Sequence, residues 1–243
     1  MFGLGTIVNA LAIVAGGLIG LFAGKLLTQR FQNIINAAMA LSILAMSLSG
    51  IVAQMLVPEG EGFTTRGTYL LIASLVLGGI LGELLDLDGK MERFGVWLKQ
   101  KTGNARDAKF VDAFVDASLT VCIGAMAVMG SILDGIDQDH SILFMKAVMD
   151  FVIILAMAAS KGKGCLFSAI PVFLFQGCIT LLARLIAPAM TDAAMNALSL
   201  VGSVLILCVA LNLLLEGKFR IKVANLLPAI IFAAILGRFP IFF

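Results

Sequence analysis

The chain has 243 residues, 60% of them hydrophobic and 13% charged, with a mean hydropathy of +1.06. Soluble domains average about 25% charged residues, so the composition excludes an ordinary water-soluble protein and points to an integral membrane protein. A net charge of +2 without a Lys/Arg block interleaved with aromatics argues against a nucleic-acid partner.

Eight apolar runs follow one another, at about 4–24, 34–56, 68–86, 110–132, 142–160, 165–187, 194–215 and 223–241. Each is near the ~20 residues that cross a hydrocarbon core ~30 Å thick. In lipid every backbone polar group must bond internally, so such runs are helices. The expectation is an all-α polytopic membrane protein of about eight transmembrane helices, with 1–243 as one integral membrane domain.

The first run, MFGLGTIVNALAIVAGGLIG, has no basic residue ahead of it and reads as a retained span, not a secretory signal. Gly16, Gly20 and Gly24 give it a GxxxGxxxG face for close packing, within the chain or across a homodimer. Asn9, Asn36, Asn212 and Asn225 read as structural interhelical hydrogen-bonders. Glu83, near the end of the third run, is placed to snorkel toward water. In the loop 87–109, KMERFGVWLKQK sets Met91, Phe94, Trp97 and Leu98 at helical spacing opposite Lys90, Arg93, Lys99 and Lys101. That pattern predicts a short interfacial amphipathic helix at 90–101, suited to an anionic leaflet.

The fourth run contains GAMAVMGSILDG. Asp116, Thr120, Gly124, Ala127, Ser131 and Asp134 recur at steps of three or four and form one small or polar stripe along the predicted helix. The stripe is the wall of a polar pathway, or a face where another backbone packs closely. Asp134-Gly135 is expected to end the helix at the outer surface. In the fifth run Lys146 and Asp150 lie four residues apart, on one face. They are a self-neutralising pair, or Asp150 is the site of a coupling ion or proton. The sixth run has Pro171 followed by Gln176-Gly177, the pattern of a kinked or broken helix, with Gln176, Thr180 and Arg184 on one face. A plain packing kink reads equally well there.

The loop charges set an orientation. One side collects Lys25, Arg30, Lys90, Arg93, Lys99, Lys101, Arg106, Lys109, Lys161, Lys163, Lys218, Arg220 and Lys222; the other has Arg66, with Lys146, Arg184 and Arg238 in span ends. Glu59, Glu61, Asp134, Asp137, Asp139 and Asp192 accompany the second group. By the positive-inside rule the basic loops are cytoplasmic and both termini lie outside. A repeat is suggested where GLIGLFAGKLLTQRFQNIINAAMALSILAMS from Gly17 matches GCITLLARLIAPAMTDAAMNALSLVGSVLIL from Gly177, and GGILGEL matches AAILGRF. An offset of five spans makes spans 1–3 and 6–8 inverted copies, a common framework of secondary transporters.

No enzyme constellation is present. His140 is the single histidine, Cys122, Cys165, Cys178 and Cys208 read as free thiols in apolar runs, and no HExxH, GxSxG, Walker loop or GxGxxG appears. The expectation is a non-enzyme without cofactor or metal. FVDASLTVCIGAMAVMGSILDG, KGKGCLFSAIPVFLFQGCITLLA, GTIVNALAIVAGGLIG and MNALSLVGSVLIL together resemble the YdfK/YqgA-type family of bacterial inner-membrane proteins, a domain of unknown function (DUF554) sometimes labelled a candidate transporter. The resemblance covers nearly the whole chain and implies a bacterial plasma membrane without naming a substrate.

The residues therefore predict a secondary transporter for a small solute, driven by an ion gradient, with an ion channel or a non-catalytic membrane subunit as the alternatives. The predicted pathway is Asp116, Thr120, Gly124 and Ser131 on span four, Lys146 and Asp150 on span five, and Gln176 and Arg184 on span six. Asp150 is expected to bind the coupling cation and Gln176 the solute, and Lys146 and Arg184 favour an anionic one.

Overall fold

The computed structural model describes residues 2–60, 62–215 and 220–239. Glu61 and Lys218, counted above among the loop charges, and residues 240–241 of the eighth predicted run lie outside the described residues.

The chain is helical, as its composition requires. Helix α1 (Leu4–Leu26) leads into α2 (Gln29–Met55). Strands β1 (Leu56–Glu59) and β2 (Gly62–Thr65) then form a small antiparallel hairpin that the apolar periodicity did not announce. After α3 (Thr68–Leu85), α4 (Leu87–Lys101) is the predicted amphipathic helix. Gly95 and Leu98 of α4 are buried, Gly95 against Phe114, while Trp97 remains half exposed and stacks on Phe94.

The fourth predicted span is not one helix. It is α5 (Phe110–Cys122) and α6 (Ala125–Ile136), bent by 63° at Ile123-Gly124. Helix α7 (Ser141–Lys161) follows. The sixth span is a 3-10 turn (Lys163–Ser168), α8 (Ala169–Leu181) and the short α9 (Ala183–Ile186). Helix α10 (Asp192–Leu214) is continuous, and the last apolar segment is α11 (Val223–Leu226) and α12 (Ala229–Leu236), interrupted before Pro228. Among the described residues six helical stretches are long and apolar enough to cross a membrane, and the bent pair makes a seventh. The segment Val223–Leu236 is shorter than a usual span, where eight full spans were expected.

Glycines set the closest contacts. A Cβ at Gly16, Gly20 or Gly24 would come within 3.0 Å of the carbonyl oxygens of Phe151, Leu155 and Ala159 respectively. The GxxxGxxxG face is thus filled by α7 of the same chain, where a homodimer partner had been the other reading. Because the contacts climb together, α1 and α7 run parallel. Gly78 and Gly82 bring α3 against Ala229 and Asn225, and there the contacts run in opposite directions, so α3 and the last segment are antiparallel. Helix α2 packs on α10, with Gly50 against Ser203.

These contacts also settle what the bent pair does. Phe110, at the start of α5, lies against Gly164 beyond the end of α7, whereas Asp134, near the end of α6, bonds the amides of Gly5 and Thr6 at the start of α1. The pair therefore traverses the bundle from its basic-loop end to its acidic-loop end. It is one broken span, not a re-entrant hairpin.

Candidate functional site

A helix stops where its next residue cannot keep α geometry. At Gly124 φ is 147° and ψ 151°, a combination essentially confined to glycine. The break leaves the last carbonyls of α5 and the first amides of α6 without intrahelical partners. Val121, four residues before Ala125, is one of the interrupted carbonyls. Lys146 Nζ donates to it at 2.8 Å.

The same ammonium donates to both oxygens of Asp150, at 2.8 and 2.6 Å. Only 7% of Lys146 and 3% of Asp150 is exposed. Asp150 is nine residues into α7, about 14 Å along its axis at 1.5 Å per residue, or roughly half of a ~30 Å core. A lone charge at that depth would be costly, and the pair plus the freed carbonyl supplies what the two groups lose from water. Asn9 of α1 completes the carboxylate's partners, its Nδ2 donating to Asp150 Oδ2 at 3.0 Å and to Gln176 Oε1 at 3.2 Å.

Beside the pair lies a cavity of about 210 Å³. Lys146 and Asp150 form one wall, and Thr120, Gly124 and the first turn of α6 another; Ser47 of α2 with Ser199 and Ser203 of α10 face them. Apolar side chains such as Ile43, Met46 and Ile206 fill the remainder. The arrangement is a mostly apolar recess with a charged pair, hydroxyls and the N-terminal end of α6, where aligned peptide dipoles favour negative charge.

The predicted pathway residues divide. Thr120, Gly124, Lys146 and Asp150 do line one recess. Gln176 is wholly buried and meets Asp150 through Asn9, on the side of the pair facing α1 and α8. Asp116 does not join them. It pairs with Lys161 at 2.7 Å toward the basic end, one helical turn before Thr120 on α5. Ser131 is buried on α6 and donates back to Ala127 O at 2.7 Å within its own helix. Arg184 lies exposed on α9. Lys146, expected near the outer face, is buried with its ammonium at the pair.

Two further expectations are corrected. Pro171 makes no break, since it occupies the first turn of α8, where a missing N–H interrupts no established ladder. Helix α8 continues through Gly177, next to which a Cβ would find open space. The break belongs to Gly124, which carries no proline as a flag. Asp134 is not at the outer surface either. It is fully buried, accepts from Gly5 N and Thr6 N at 3.4 Å, and pairs with His140 Nδ1. Asn9, Ser47, Ser199 and Ser203 were not picked out as site residues. An asparagine or serine inside an apolar helix has the same appearance whether it packs or lines a recess.

Fold and site together define a polytopic α-helical membrane protein with a charge pair buried at mid-depth against a broken span. The chain belongs to the family described as "Protein of unknown function (DUF554)", which matches residues 4–237. It is 27% identical over 227 residues to the uncharacterized membrane protein YdfK of Bacillus subtilis (strain 168), covering 93% of this chain and 92% of that protein. It is 26% identical over 234 residues to the uncharacterized protein YqgA of Escherichia coli (strain K12), covering 95% and 94%. No solved structure matches the chain.

Proposed function

We propose that the protein is a secondary transporter, non-enzymatic, that carries a small anionic solute through the recess beside Gly124 and takes its driving force from a cation bound at Asp150. One observation carries this reading: the break in the α5–α6 span opens at mid-depth directly beside the Lys146–Asp150 pair and onto a cavity of about 210 Å³. Discontinuous helices whose ends face a mid-membrane site are a recurring device of secondary transporters. Lys146 and the N-terminal end of α6 supply positive potential for the solute, and Ser47, Ser199, Ser203 and Thr120 supply hydroxyls. The volume suits a solute of metabolite size. Gln176, on the far side of the pair, serves the carboxylate's surroundings and not the solute.

The antiparallel packing of α3 with the last segment supports an inverted relation of spans 1–3 and 6–8. In this reading the basic loops face the cytoplasm of a bacterial inner membrane, with both termini outside. The bilayer and the solute are the partners the reading requires.

The test starts from a melting-temperature screen of purified protein against small organic and inorganic anions, followed by uptake of the stabilising anion into proteoliposomes under imposed proton or sodium gradients. Gradient-dependent, saturable uptake is expected. Single-channel currents, or no flux with any anion and co-purification with a fixed partner, would assign the protein to a channel or a subunit instead.

A further inference from the structure

The Lys146–Asp150 pair has two sides. The cavity occupies one, between α2, α6 and α10. On the other side, between α1, α6 and α8, a file of buried polar groups leads to the acidic-loop end. His140, the sole histidine, touches Asp134 with its ring Nδ1, and Asp134 accepts from Thr6 N. Thr6 Oγ1 lies 3.3 Å from Thr180 Oγ1. One turn further along each helix are Asn9 and Gln176, joined at 3.2 Å, and Asn9 reaches Asp150 at 3.0 Å.

Thr6, Asn9, Asp134, Gln176 and Thr180 are all buried, and the side chain of His140 is 16% exposed. Within this file, Asn9 Oδ1 and Gln176 Nε2 have no hydrogen-bond partner, although both residues are 0% exposed. An orphan donor beside an orphan acceptor fits an internal water between the hydroxyl pair and the amide pair.

We propose that this file is a proton entry route from the acidic-loop end, with His140 as its outer group, and that the ion coupled at Asp150 is a proton. The inference deepens the transporter reading and rests on it. The Lys146 ammonium already holds both Asp150 oxygens, so a metal cation would meet a fixed positive charge. A proton instead adds covalently to one oxygen. In the step, the His140 ring gives its proton to the Asp134 carboxylate, which passes it through bridging water to the Thr6 and Thr180 hydroxyls and returns to its charged form, while an O–H bond forms on Asp150 at the inner end of the file. The Asn9 amide turns so that Oδ1, without a partner until then, accepts that O–H. Lys146 keeps its proton and its bond to Val121, and its charge is released toward an anion in the cavity. One positive charge enters and one negative charge is neutralised.

The charged and titratable groups around the route are few. Lys146 and, from α5, Cys122 flank Asp150; Asp134 and Asp139 flank His140. Thr6, Asn9, Gln176 and Thr180 on α1 and α8 contribute only hydroxyls and amides, and α2 and α10 contribute serines.

Dicyclohexylcarbodiimide modifies carboxyl groups through their protonated form and therefore reads Asp150 without the solute. Full-length protein in oriented vesicles is treated while one face alone is acidified, and the Asp150 adduct is measured by mass spectrometry. Acidifying the acidic-loop face raises the labelling rate. His140→Gln, or Thr6→Val with Thr180→Val, lowers that rate roughly a hundredfold, the low end of what a positioned proton-transfer group contributes. Thr6→Ser with Thr180→Ser restores it, and every variant reaches the same final labelling on long acid incubation, which separates a lost route from a lost fold. Labelling that follows the basic-loop face, or is indifferent to the valine pair, overturns the route. Sodium protection at fixed pH with no response to pH overturns the proton while leaving transport standing; uptake unaffected by Asp150→Asn overturns coupling at Asp150, and absence of gradient-driven uptake by the unmutated protein overturns the transporter reading itself. Infrared spectra report the protonated carboxyl without reagent access, and the lack at every pH of a band removed by Asp150→Asn also overturns the assignment.

Discussion

Lys146 Nζ lies 2.8 Å from the carbonyl oxygen of Val121, which ties the buried charge of α7 to the interrupted end of α5. One ammonium thus serves both the carboxylate of Asp150 and a carbonyl that a continuous helix would have used internally. The charge pair and the break stabilise each other, and neither is an isolated defect. Removing Lys146 leaves Asp150 buried without its counter-charge. Lys146→Met is expected to destabilise the protein by about 3–5 kcal/mol, the cost of breaking a buried ion pair from one side. Lys146→Met combined with Asp150→Leu recovers most of that loss. Thermal unfolding in mild detergent checks both.

Gly124 has room for a side chain but not the backbone for one. A Cβ there meets nothing within 4 Å, while φ of 147° is disfavoured for any other residue. Gly124→Ala is therefore expected to cost about 1–3 kcal/mol through backbone strain alone. Gly177→Ala on α8, also in open space but within a regular helix, is neutral or slightly stabilising. Melting temperatures of the two variants, compared side by side, test where the helix break lies.

The glycine face of α1 makes a different prediction. Gly20→Leu forces a side chain into the backbone of α7 at Leu155. It lowers the yield of folded protein, and the folded fraction keeps the wild-type oligomeric state in light scattering. A shift from dimer to monomer at full folding yield would show that the face is used between chains instead.

At the basic end, burial raises the carboxyl of Asp88 above its usual range, and Arg220, 3.6 Å away, opposes that rise. Asp88 binds its proton more tightly folded than unfolded, so its contribution to stability is full at low pH and declines as pH rises from the ordinary carboxylate value through the raised one. Arg220→Met removes the main compensating charge. The variant loosens the docking of α4 at neutral pH, and its deficit shrinks on acidification. Limited proteolysis within 87–109 as a function of pH measures this.

Much of the fold was legible because lipid imposes a simple rule: apolar runs of sufficient length become helices. The positions of α1, α2, α3, α7 and α10 follow from that rule, and the amphipathic α4 from the helical spacing of its apolar residues. The hairpin at 56–65 escaped it, being four-residue strands in a loop. The intramembrane charges Lys146 and Asp150 stood out by their cost and are the centre of the candidate site. What stayed hidden was the break at Gly124. A glycine inside GAMAVMGSILDG looks like a packing glycine, and only φ and ψ tell the two apart. Pro171 drew attention as a breaker, yet proline in a first turn breaks nothing. The link from Asn9 to Asp150 spans 141 residues of sequence and is a property of the packing of α1 on α7, which local periodicity does not encode.

The most direct measurement of the central claim is gradient-driven uptake by Asp150→Asn protein in proteoliposomes, using the anion that most raises the wild-type melting temperature. Asparagine retains the size and the hydrogen bond to Asn9 but cannot alternate between charged and neutral forms. The account predicts that the variant folds, still binds the anion in the melting assay, and loses gradient-coupled accumulation. Wild-type accumulation by the Asp150→Asn protein would contradict it.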